Sequence, residues 1–127
     1  MDIRSKILKA EDLPSEPVEV KEWGETVYVR SMSGRDRDMF ESQMLDLSEK
    51  GKRLDNFRAR LAVFCCVDAE GKRIFKDSDI AALGEKSGRA LDKVFEVASR
   101  LNKMSEEEIE ETKKPSLKAV ENGSTSG

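Results

Sequence analysis

After Met104 the chain almost runs out of apolar side chains. Residues 105–127 hold only Ile109, Leu117, Ala119 and Val120, whereas residues 1–104 hold 43 apolar residues and six glycines. That body is about 47% apolar or glycine, inside the ~45–50% usual for a globular domain, so one core has to be built from residues 1–104. Charge divides at the same place. The body carries 20 acids and 20 bases, the remainder six acids and three bases, and the net charge of -3 therefore belongs to the end of the chain. A neutral body argues against wholesale nucleic-acid binding. Charged residues make up 39% of the chain, which predicts a densely charged, soluble surface.

Three further absences narrow the function. There is no histidine, which removes Ser-His-Asp and Cys-His nucleophile activation and every zinc site that uses imidazole. Cys65 and Cys66 are adjacent, without the two-residue gap by which a CxxC pair holds a metal or cycles as a redox couple, and they read as two small core residues of a reducing compartment. No apolar run approaches the ~20 residues that span a bilayer, and the N-terminus lacks a continuous apolar signal region. These readings predict a cytoplasmic protein with no cofactor, no metal and no membrane partner.

The pattern predicts an α+β fold: a mostly helical small domain in which an N-terminal β-hairpin packs on about four helices. Ile3, Ile7 and Leu8 suit a short amphipathic helix that Pro14 and Pro17 close, with Arg4, Lys6 and Lys9 facing water. Alternation over 16–23, then the β-branched and aromatic run 26–30, predicts two strands about a Trp23-Gly24-Glu25 turn, with Val27 and Val29 on one face and Thr26, Tyr28 and Arg30 on the other. Ser33 with Asp36 opens a helix that Gly51 ends, its apolar stripe formed by Phe40, Met44 and Leu47 with Met39 beside them. Phe57, Leu61, Phe64 and Cys65 form the stripe of the most apolar helix. Residues 67–75 read as a tight hairpin or an extended connector, and a short extended piece is the preferred reading. Asp77 or Ser78 caps a brief helix that Gly84 stops, and Ser87 caps the clearest helix, with Leu91, Val94, Phe95, Ala98 and Leu101 as one stripe. Beyond the domain at 1–104, a capping box at Ser105–Glu108 predicts an acidic helical segment over 105–114, and 115–127 is too polar to order.

Candidate chemistry is sparse. Asp36 with Asp38, and Asp77 with Asp79, sit where helix capping explains them. Asp68-Ala69-Glu70-Gly71 lacks the later ligands of a calcium loop. The bases between Arg35 and Arg60 are interleaved with acids and read as a mixed solvated face. What remains points to association with another protein: Trp23 at a hairpin tip, and Met39, Met44 and Leu47 on an expected exposed strip of the helix from Ser33 to Gly51.

One resemblance sharpens this. The run Val18 to Arg30, then Ser33-Gly34-Arg35-Asp36-Arg37-Asp38, then Phe64-Cys65-Cys66-Val67-Asp68-Ala69-Glu70-Gly71-Lys72-Arg73-Ile74-Phe75, with Leu83-Gly84-Glu85-Lys86-Ser87 and Leu101-Asn102, resembles the tail assembly chaperones of lambda-like bacteriophages with long non-contractile tails, over roughly residues 2–112. The resemblance implies a non-catalytic protein of the host-cell cytoplasm, absent from the mature virion. It implies that the chain coats and solubilises the tape measure protein before the tail tube polymerises, and that a form extended by programmed ribosomal frameshifting meets the tail tube protein. Coating a long client calls for many copies, hence self-association. The competing expectations are a nucleic-acid-binding regulator and a structural tail completion or connector protein.

Overall fold

The computed structural model describes residues 1–104. The expected acidic helix at 105–114 and disordered end at 115–127 lie outside the described residues. Within them the fold is α+β: five α-helices and a three-stranded antiparallel sheet.

The first helix, α1 (Ile3–Lys9), forms as expected, but it stops at Ala10, four residues before Pro14. Its N-cap is Asp2, whose Oδ1 accepts from the Ser5 N–H at 2.8 Å. No residue of α1 is buried. Strands β1 (Ser15–Val20) and β2 (Glu25–Arg30) pair antiparallel, with Ser15 opposite Arg30 and Val20 opposite Glu25. The first strand is shorter than the alternation predicts, because Lys21–Trp23 closes into a 3₁₀ turn. Gly24 completes the reversal at φ 65°, a left-handed conformation that glycine adopts without steric cost.

Val27 and Val29 face the core and Tyr28 the other side, as alternation requires. The sheet has a third strand that the sequence pattern does not announce: β3 (Cys66–Val67) pairs with β2, making β2 central. Residues 68–73 are a tight turn, not the extended piece expected. Asp68 N–H donates to the Lys72 carbonyl at 2.8 Å, Val67 bridges to Arg73, and the Asp68 carboxylate accepts from the Glu70 and Lys72 N–H groups. Those backbone donors hold the Asp68 carboxyl below its ordinary value.

Helix α2 (Gly34–Glu49) starts from Ser33, whose hydroxyl accepts from Asp36 N–H, and α5 (Gly88–Leu101) starts from Ser87 in the same way with Ala90. Between them lie α3 (Phe57–Cys65) and α4 (Ile80–Gly84). A 3₁₀ turn, Asp77–Asp79, leads into α4, and the Asp79 carboxylate accepts from Lys76 N–H at 2.8 Å. Helix α3 is the hub of the fold. Phe57, Ala59, Leu61, Ala62, Val63, Phe64 and Cys65 are all buried, so it is covered nearly all round by α2, α4, α5 and the sheet. Four phenylalanines from three helices meet edge to face. Phe40 of α2 touches Phe57 and Phe64 of α3, and Phe57 touches Phe95 of α5, at centroid separations of 5.7–5.9 Å.

Helix α5 lies across the inner face of the hairpin, clamped at both ends. Lys93 pairs with Glu22 at 3.0 Å near the turn, and Arg100 pairs with Glu16 near the start of β1. Asn102, just past α5, is a hydrogen-bonding hub. Its Oδ1 accepts from Met32 N–H at 2.7 Å, its Nδ2 donates to the Ala98 carbonyl, and its own carbonyl accepts from Arg37. It thereby ties the β2–α2 connection to the far end of the helix.

Candidate protein-binding surface

The expected strip on α2 does not exist as one exposed surface. Phe40 is buried, Met44 packs against the core, and Leu47 is half-buried. Met39 is exposed, and the other exposed apolar residue of this helix is Leu45, which the stripe pattern passes over. The reason is the helical period itself. The face carrying Phe40 and Met44 is the one by which α2 packs on the core, so an apolar stripe marks core contact before it marks a partner.

Trp23, the other sequence candidate, is half-buried and packs against the core, yet it also borders a groove. This groove, of about 800 Å³, runs along the outer face of the sheet between the hairpin turn, the 68–75 segment and the start of α5. Its apolar lining includes Trp23, Tyr28, Val67, Ile74, Phe75 and Leu83. Each is there for a local reason: Tyr28 and Val67 are direct partners across β2 and β3 and so share a face, while the 68–73 turn folds Ile74 and Phe75 back beside them. Glu22, Glu25 and Asp68 border the groove together with Lys86. Of these lining residues, only Trp23 is among the candidates that the sequence pattern singles out. The signal was present in the apolar pair Ile74-Phe75 after a glycine turn, but its meaning depended on β3 pairing with β2.

Among the described residues, no cluster of three or more Cys, Asp or Glu side chains is placed to hold a metal ion. The two cysteines are buried, and burial pushes both thiols up to about 12, so neither is a nucleophile at neutral pH. The cations of the 35–60 stretch are largely engaged with acids: Arg37 with Glu41, Lys50 with Asp46, Arg58 with Asp92 and Arg60 with Asp55. Arg73, beside the groove, lies over the Phe64 ring at 4.8 Å and donates to the Val63 carbonyl. What the surface offers is an apolar concavity with an acidic margin.

The comparisons identify the class. The family model of the phage tail assembly chaperones matches residues 7–115, and the chain belongs to that family. The fold agrees with a solved member: the tail assembly chaperone of bacteriophage HK97 superposes with a TM-score of 0.56 at 18% identity, covering 81% of this chain and 96% of that one. No curated protein matches in sequence. The expected family and the expected α+β class are therefore both found, and the family is one of chaperones with no enzymatic role implied.

Proposed function

We propose that this chain binds the tape measure protein of a siphophage and keeps it soluble until the tail tube polymerises around it. The observation that carries the reading is the family match over residues 7–115. The apolar groove beside Trp23, on a body whose charged residues keep it in solution, supports it physically, because a client rich in exposed apolar helix faces needs a partner that covers them. The same reading has the chain act in the host-cell cytoplasm in many self-associating copies and leave before the virion matures. A minor frameshift-extended form would engage the tail tube protein.

Co-expression with the tape measure protein of the same phage tests it. The client is expected to move from the pellet to the soluble fraction and to co-purify with this chain. A client that remains insoluble and unbound, or finished particles that retain this chain in stoichiometric amounts, would overturn the chaperone reading in favour of a structural tail component.

A further inference from the structure

A β-sheet can grow wherever an edge strand offers unpaired N–H and C=O groups, and this sheet has an edge on either side. One is closed by the chain itself. On the outer side of β3, Asp68 N–H donates to the Lys72 carbonyl at 2.8 Å and Ile74 N–H to the Cys66 carbonyl at 3.1 Å. The other edge is β1, which no described strand covers. The alternation of an antiparallel ladder tells which of its backbone groups face outward. Ser31 N–H donates to the Pro14 carbonyl at 3.0 Å, and the register runs on unbroken from Ser15 opposite Arg30 to Val20 opposite Glu25. Pro14, Glu16, Val18 and Val20 therefore turn their backbone groups to β2, and Ser15, Pro17 and Glu19 turn theirs away. Pro17 stands in the middle of the outward set and has no N–H to offer.

We propose that Pro17 closes β1 against strand pairing with a second copy of this chain. The pairing it refuses is defined by geometry. Two β1 edges brought together antiparallel about a two-fold axis at position 17 set Ser15 opposite Glu19, and Glu16 opposite Val18, of the other copy. No like charges stand directly opposite, so the acids of the strand do not prevent it. Neither does a bulge, since the register is unbroken, nor a lysine, since β1 has none. Ser15, Pro17 and Glu19 are exposed. With a residue that carries an N–H at 17, the two copies would exchange backbone hydrogen bonds at 17 and at both Ser15–Glu19 pairs. With proline the central pair makes none, and the two rings stand between the strands. The closure is independent of which client the protein binds.

Residue-resolved hydrogen exchange, with light scattering coupled to size exclusion, tests this on the full chain. In the wild type the Ser15 and Glu19 amides are expected to exchange as free amides at every protein concentration. In Pro17→Thr they are expected to slow by on the order of tenfold as concentration rises, together with the new amide at position 17, while the mass shifts toward twice that of the wild type. Pro17→Ala restores the N–H with a smaller side chain and is expected to do the same, so the outcome does not hang on one variant. Adding Ser15→Pro to Pro17→Thr puts a proline back on the same edge and is expected to return exchange and mass to those of the wild type. Free amides and wild-type mass in both Pro17 variants would overturn the proposal. Slow exchange at Ser15 and Glu19 in the wild type would do so too, because the edge would then be occupied despite the proline. Association that survives the added Ser15→Pro would place the new contact on another surface, and the closure would fall.

Discussion

Asn56 stands at φ 50° immediately before α3, and its side chain turns toward Gly84 at the end of α4. A Cβ built on Gly84 would come within 2.3 Å of the Asn56 amide oxygen. An alanine at Gly84 would have to displace the Asn56 side-chain amide, a constraint different from the helix stop that its sequence position suggests. Alanine at a helical position gains up to ~1 kcal/mol over glycine, but overpacking costs ~1–3 kcal/mol, so Gly84→Ala is expected to destabilise by about 1 kcal/mol in urea unfolding. In an Asn56→Gly background, where the obstruction is gone and the left-handed backbone suits glycine, the same change should become neutral or stabilising. Equal effects in the two backgrounds would show that the approach constrains nothing. Asn102 teaches the same lesson. Its polar contacts to Met32, Ala98 and Arg37 hold the end of the domain together, and no periodicity foretells them.

The elements whose apolar residues form one clean stripe were the most legible. Helix α5 runs from its Ser87 cap through Leu91, Val94, Phe95 and Ala98, all buried as the spacing implies. The α2 stripe was legible as a stripe and misread as a surface, because period tells which residues share a face and not which neighbour covers it. Met44 packs on the core and Met39 is 41% exposed, so a glutamate at each separates the roles. Met44→Glu is expected to cost about 1–3 kcal/mol by forcing a charge against the core, whereas Met39→Glu should stay within about 0.5 kcal/mol of the wild type. Paired chemical denaturation curves check this, and equal midpoints would mean that α2 is docked differently. The third strand was illegible because two residues are too few for any alternation. Cys66 and Val67 are a strand only by virtue of the β2 edge that they pair with.

At the scale of the whole molecule, α3 sits at the centre and carries Cys65 at its end, with Cys66 next to it on the sheet. Exposing either thiol means opening the core, so both should react with a thiol reagent at pH 8 only as fast as the domain unfolds, and both promptly in denaturant. Rapid labelling of either one in the native protein would show that the α3–β3 junction opens locally. Burial raises both thiols from 9.0 to about 12, which sets the direction of the pH effect. The stability gained by keeping them neutral is complete below about pH 9 and is lost as pH climbs from there through 12. The amino-acid sequence by itself determined the α+β class, the Ser33 and Ser87 helix caps and the family resemblance, because these depend on local propensity, composition and ordered motifs. Tertiary structure alone decided which apolar faces are core and which are left over. It turned the α2 stripe inward, built a groove from Trp23, Tyr28, Ile74 and Phe75, and left α1 uncovered. Burial is a property of what lies opposite a face, and that partner is chosen by contacts distant along the chain.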